Sequence, residues 1–252
     1  MKTLAILGLG LSAAAQSAGA AQPTKSLNIG RFGEVTLYLP DSTPRSIALF
    51  VSGDGGWNLG VIDMARSIAA QDAIVVGIDI RHYLAELAKS QSDCASLAVD
   101  FENLNHSVQQ QLRLREYLAP VLIGYSSGAT VVYATLVQAP PGTFAGAMSL
   151  GFCADQDFRG VPLCRGAGLH YTPNHRGDYV FAPAPHLRDP WIALQGQQDA
   201  VCDARAVDTF AAQIPGSQVV PLPKVGHGFS VQKNWLPQFQ KAYARLSARA
   251  SE

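Results

Sequence analysis

The pentapeptide Gly124-Tyr125-Ser126-Ser127-Gly128 lies between a short apolar run, Val121-Leu122-Ile123, and a stretch rich in Ala and Val from 127 to 138. A strand that feeds a helix through so few residues needs a very tight turn. Small residues at both ends let strand and helix pass closely, and the turn strains the serine backbone and lifts its hydroxyl above the sheet. The G-x-S-x-G pattern alone arises often by chance. Between a buried strand and a helix it makes Ser126 a candidate nucleophile, and it demands an α/β architecture around it.

The rest of the chain fits that demand. Leu27 to Phe32 and Glu34 to Leu39 read as a hairpin turned at Gly33 and closed by Pro40. Ser46 to Val51 is continuously apolar, as expected of a strand covered on both faces. Helical spacing follows through Leu59, Ile62, Ala65 and Ile68, then a second buried strand from Ala73 to Ile80. The spacing of Leu97, Phe101, Leu104, Val108 and Leu112 predicts an amphipathic helix over 97–118. Further strands are expected at 121–123, 146–152, 191–194 and 217–222, with a closing helix at 231–249. Alternation of this kind implies a mostly parallel central sheet with helices on both faces. Between Phe152 and Pro190 the alternation stops, and the 153–190 stretch, rich in Gly, Pro, Arg and His, reads as a binding insertion or lid. Tyr171, Tyr179 and Phe181 within it would either meet lipid or pack on one another.

A serine hydroxyl needs a base, and the base an orienting carboxylate. On an α/β-hydrolase scaffold the order is Ser, then Asp or Glu, then His. His227 in Val225-Gly226-His227-Gly228-Phe229 follows the last strand, whereas His170, His175 and His186 fall in the insertion. Asp199 ends the Leu194–Gln198 strand exit, the station of the carboxylate. Asp155 is its rival, and Asp203 reads as a helix cap. The oxyanion formed on attack needs preorganised donors. Ser127 offers one N–H, and the loop Ser52-Gly53-Asp54-Gly55-Gly56-Trp57 the other, at Asp54 with Gly55 close behind. That loop lacks the Gly-Lys-Ser/Thr ending of a phosphate-binding turn. Chemistry of this kind calls for no cofactor and no metal.

Those segments together resemble the VirJ/AcvB family of bacterial virulence-associated proteins. The resemblance rests on Ser52-Gly53-Asp54-Gly55-Gly56-Trp57, Gly124-Tyr125-Ser126-Ser127-Gly128-Ala129, Asp199-Ala200-Val201-Cys202 and Gly226-His227. It runs from about Ser46 to the end of the chain. It implies a periplasmic α/β-hydrolase that releases lysine from lysyl-phosphatidylglycerol, with a link to type IV secretion and virulence. It also implies contact with a membrane surface or with secretion components. Here Thr130 and Gln197-Gln198 stand where the family is often acidic, and Asp54, Asp155, Asp157 and Asp178 are the carboxylates able to replace that charge. The alternatives are an esterase for another lipid or small ester, and a non-catalytic envelope or secretion-complex binding protein that keeps the fold.

Residues 1–20 read as a secretory signal peptide: Lys2, an apolar run from Leu4 to Ala15, and Ala18-Gly19-Ala20 as a cleavage site. The run is about 12 residues, short of the roughly 20 that span a bilayer. Gly8-x-Gly10-x-x-Ala13 mimics a dinucleotide turn, but no carboxylate follows before Glu34, so the export reading is preferred. Residues 21–252 then form a single domain. In an oxidising compartment Cys94, Cys153, Cys164 and Cys202 become disulfide candidates, with three connectivities open and Cys153–Cys164 the simplest local pair. With 19 basic and 19 acidic residues the formal net charge is zero, which argues against a nucleic-acid partner.

Overall fold

Side chains alternate across a strand, and here both faces of that alternation are covered. Ile47, Leu49, Val51, Ile74, Val76, Ile78 and Leu122 join one core cluster. Ala48, Phe50, Val75, Val121, Ile123, Met148 and Leu150 join a second on the opposite face. The computed structural model describes residues 23–251, so the signal peptide expected at 1–20 lies outside the described residues.

The elements run β1 (Pro23–Ile29), β2 (Gly33–Tyr38), β3 (Ser46–Val51), α1 (Leu59–Ala69), β4 (Ala73–Ile78), α2 (Ile80–Leu87), α3 (Leu97–Leu112), β5 (Val121–Tyr125) and α4 (Ser127–Gln138). Then come β6 (Gly146–Leu150), β7 (Asp155–Gln156), β8 (Tyr171–Pro173), β9 (Tyr179–Phe181), β10 (Trp191–Gly196), α5 (Ala204–Ala211), β11 (Gln218–Leu222) and α6 (Leu236–Ser247). Eight strands form one sheet in the order β1-β2-β4-β3-β5-β6-β10-β11. The β1–β2 and β2–β4 pairs are antiparallel and the others parallel. Helices α2, α3, α4 and α5 contribute to the first cluster; α1 and α6 contribute to the second. This is the α/β-hydrolase fold expected from the sequence.

Several boundaries differ from the sequence expectation, each for a local reason. The strand expected to reach Ile80 ends at Ile78, because the Asp79 carboxylate accepts from Arg81 N at 2.9 Å and caps helix α2. Helix α3 stops at Leu112 rather than 118: Arg113 turns left-handed (φ 53°), and Gln109 then holds Leu118 through both amide ends. Strand β6 ends at Leu150, where Gly151 takes φ 62°. Helix α6 starts at Leu236 with Pro237 in its first turn, after a short 3₁₀ turn at Gln232–Asn234. Proline suits that position because its missing N–H has no helical acceptor there.

The 153–190 insertion is not structureless. Strands β7, β9 and β8 form a small antiparallel sheet, with Asp155 opposite Val180 and Tyr171 opposite Phe181. Tyr179 and Phe181 are buried, and the Tyr171 and Tyr179 rings lie 4.4 Å apart. The aromatic residues of the insertion therefore pack on one another.

The disulfides are Cys94–Cys164 and Cys153–Cys202, which corrects the local Cys153–Cys164 pair. Backbone pairing decides it. Ala95 N donates to Pro162 O and Cys164 N to Ala95 O, which brings Cys164 beside the segment before α3. Cys153 leaves β6 next to β10, whose exit loop carries Cys202.

Candidate active site

Ser126 sits at the β5–α4 junction with φ 54° and ψ −123°, a conformation that a non-glycine residue rarely takes. Such strain costs about 1–3 kcal/mol and persists only where the surroundings enforce it. Here Ser126 N donates to Leu150 O and Ala129 N to Ser126 O. The two motif glycines are steric necessities. A Cβ on Gly124 would stand 2.1 Å from Gly128 O, and one on Gly128 would stand 2.5 Å from Val51 O and from Ser52 O.

Because β5, β6, β10 and β11 are parallel neighbours, the exit loops of β10 and β11 leave from the same edge of the sheet as that turn and carry the other two expected residues to it. Ser126 Oγ lies 2.8 Å from His227 Nε2, and His227 Nδ1 lies 2.8 Å from Asp199 Oδ2. The Asp199 side chain is fully buried, and its Oδ1 accepts from Val201 N and Cys202 N, both at 2.8 Å. A carboxylate only accepts, so Nδ1 carries the imidazole proton and Nε2 presents a lone pair to the serine O–H. That is the arrangement by which a histidine draws a proton from a hydroxyl. The rivals lie elsewhere: Asp203 caps α5 through Ala206 N, and Asp155 is an exposed residue of the insertion. His170, His175 and His186 are exposed.

The Ser52–Trp57 loop lies against the serine. A Cβ on Gly53 would be 3.0 Å from Ser126 Cβ, so a side chain there would press on the serine and glycine eases the close approach of the loop. Ser52 Oγ accepts from Ile80 N, and Trp57 N donates to Asp79 Oδ2. Burial pushes the Asp79 carboxyl up, but hydrogen bonds from Arg81 and Trp57 outweigh it and hold its pKa below the ordinary value. Asp54 and Ser127, the expected oxyanion donors, line one cavity of about 370 Å³ together with Arg81, Asp155, Asp157 and Asp178. A second cavity of about 400 Å³ is lined by Gly53, Tyr125, Phe229 and Trp235 among others.

Three supporting residues escaped the sequence reading. Tyr125 donates from its hydroxyl to His227 O at 3.0 Å, and Trp235 Nε1 donates to Phe229 O at 2.7 Å. Gln195, fully buried, donates to Asp199 Oδ2 at 3.2 Å. Only Gln195 left a trace in the sequence, as a polar residue ending an apolar strand. Asp199, Cys202 and His227 also converge within 4.8 Å, a set of metal-ligand residue types, but the Cys202 sulfur is committed to a disulfide and offers no thiolate.

Solved structures of similar fold include the esterase domain of a Rhodothermus marinus protein, at 16% identity, TM-score 0.58, and 85% of this chain against 92% of that one. A dienelactone hydrolase from Anabaena variabilis aligns at 16% identity, TM-score 0.60, over 89% and 96% of the two chains. Est1E from Butyrivibrio proteoclasticus aligns at 12% identity, TM-score 0.58, over 89% and 100%. At such identities the likeness is one of fold. No curated protein sequence matches significantly. Asp199 and His227 lie beyond the stretch that carries the family likeness, but the glycine loop and the serine turn lie within it: residues 45–153 match the family of the bacterial virulence protein VirJ, and over them the chain resembles that family.

Proposed function

We propose that the protein is an exported serine hydrolase that cleaves an ester through Ser126, His227 and Asp199. The observation that carries this reading is the hydrogen-bonded chain Ser126 Oγ to His227 Nε2 and His227 Nδ1 to Asp199 Oδ2, built on a strained turn. Ser126 Oγ attacks the ester carbonyl carbon while His227 Nε2 takes the hydroxyl proton, and buried Asp199 stabilises the imidazolium. The carbonyl oxygen becomes an oxyanion that accepts from Asp54 N and Ser127 N. Collapse expels the alcohol, which receives the proton from His227. Water then attacks the acyl-enzyme with His227 again as base, and releases the acid and Ser126.

The substrate we assign is lysyl-phosphatidylglycerol, in the periplasm, with the virulence or secretion role that the VirJ resemblance implies. A lysyl ester brings two cationic amines to the serine. Asp54, Asp155, Asp157 and Asp178 line the cavity beside Ser127 together with two cations, Arg159 and Arg81; the Arg81 charge is met by Asp79 at 2.7 Å, so the carboxylates outnumber the remaining cation. A chain of zero formal net charge thus presents local negative charge where a cationic acyl group would sit. Two disulfides fit an oxidising compartment.

A fluorophosphonate probe tests the chemistry: the wild type is expected to label and Ser126→Ala to stay blank. A blank wild type would instead favour a binding protein on a hydrolase fold. For the substrate, Ser126→Ala in the native host is expected to raise lysyl-phosphatidylglycerol, and an unchanged lipid profile would move the assignment to another ester.

A further inference from the structure

Strand β10 turns Trp191 and Ala193 into the core on one face, and residue 195 continues that face. The residue there is Gln195, with no exposed surface. A buried amide is costly unless its polar atoms are bonded. Gln195 Oε1 accepts from Phe152 N at 3.1 Å, and Nε2 donates to Cys202 O at 2.9 Å and to Asp199 Oδ2 at 3.2 Å. Phe152 N–H can only donate and Cys202 C=O only accept, so the amide has one possible orientation.

These bonds join two separate segments, the exit of β6 and the loop that carries Asp199. The Cys153–Cys202 disulfide joins the same two segments one residue further on. Phe152, Cys153, Cys202 and Gln195 therefore close a ring, and Asp199 is attached to it by both oxygens: Oδ1 through Cys202 N and Oδ2 through Gln195 Nε2. The Asp199 oxygen that takes the Gln195 bond also accepts from His227 Nδ1. Without Gln195 that oxygen would keep only the histidine, and the two backbone bonds to Oδ1 would be left as the loop's own hold on the carboxylate.

We propose that Gln195 is a positioning residue for the Asp199 carboxylate and that the Cys153–Cys202 disulfide completes the clamp that holds it. The inference rests on Ser126, His227 and Asp199 acting as proposed above. Gln195 acts through Asp199 and does not touch the reacting atoms.

The test uses the full exported protein, with a fluorophosphonate to count reactive serines and a p-nitrophenyl ester to measure turnover per reactive site. Gln195→Met keeps the length of the side chain and removes its polar bonds. It is expected to lower kcat about 10-fold or more while KM stays within about two-fold, since small misplacements of catalytic groups cost on that order. Cys153→Ala with Cys202→Ala should give a similar loss. All three changes together should give about the loss of the worse variant and not the product, because both devices hold one loop. Gln195→Met also removes a donor from Asp199 Oδ2, the oxygen that accepts from His227 Nδ1, which leaves more of its charge for the imidazolium and should move the acid limb of the kcat/KM profile to higher pH, a readout that a merely structural role would leave in place. Turnover per labelled site near wild type in Gln195→Met, multiplicative losses, or an unmoved acid limb in Gln195→Met would each overturn the proposal. A wild type that does not label overturns the serine-hydrolase reading beneath it.

Discussion

The hydroxyl of Tyr125 donates to the backbone carbonyl of His227 at 3.0 Å, so the residue before the serine holds the loop that carries the histidine. Its ring also meets Phe229 edge-on, at 5.9 Å between centroids. The end of β5 and the β11 exit loop, remote in sequence, are fastened at the point where Ser126 and His227 must meet. Tyr125→Phe keeps the ring and removes the bond. It is expected to lower ester turnover by roughly 10-fold, with a stability loss of only about 1 kcal/mol, the net worth of one hydrogen bond. Turnover equal to the wild type would show that ring packing alone fixes the loop.

Gly128 lies where α4 passes close to the sheet. A methyl group there would meet backbone oxygens of Val51 and Ser52 at 2.5 Å, and backbone cannot swing aside as a side chain can. Gly128→Ala should destabilise the fold by about 1–3 kcal/mol or more through overpacking. Probe labelling of Ser126 should fall with it, because the same shift moves the turn. Thermal unfolding and labelling of one preparation would check both.

Charge beside Ser127 is expected to select cationic acyl groups. Asp155 and Asp178 line the 370 Å³ cavity without belonging to the hydrogen-bonded serine chain. Asp155→Asn together with Asp178→Asn should raise KM for a lysyl ester several-fold, on the order of 1 kcal/mol for exposed charge pairs, and leave KM for a neutral acetyl ester unchanged. An equal effect on both esters would assign these aspartates a structural role.

Alkaline pH should unfold the protein through its buried phenols. Burial raises the Tyr83, Tyr133 and Tyr243 hydroxyls above the ordinary tyrosine value, and the Asp100 carboxylate adds to the effect at Tyr83. In the unfolded chain these groups lose their protons near pH ~10. Above that pH the unfolded state binds fewer protons than the folded one, so stability falls as pH rises. The stabilisation is complete below pH ~10 and is lost as pH climbs toward the folded values. Tyrosinate absorbance should therefore rise together with the loss of helical circular dichroism, and separate transitions would contradict this.

Much of the architecture was legible in the chain because it depends on near neighbours. Continuous apolar runs such as Ile47 to Val51, short and bounded by turn residues, fit strands covered on both faces. The small residues around Ser126 fit a tight strand-to-helix turn, and chain order together with the loops after the late strands favoured Asp199, over its rival Asp155, and His227 as the residues to meet it. What lay beyond reach depends on which loops the sheet order sets side by side. Cys153 is near Cys164 in sequence, yet β6 lies next to β10, so its partner is Cys202. The small sheet of the insertion, the capping of α2 by Asp79, and the hold of Tyr125 and Gln195 on the histidine and aspartate loops arise in the same way. Apolar periodicity records that a side chain is buried, whereas a hydrogen bond or disulfide needs a particular partner within a few ångströms, and for residues far apart in sequence only the folded sheet supplies it.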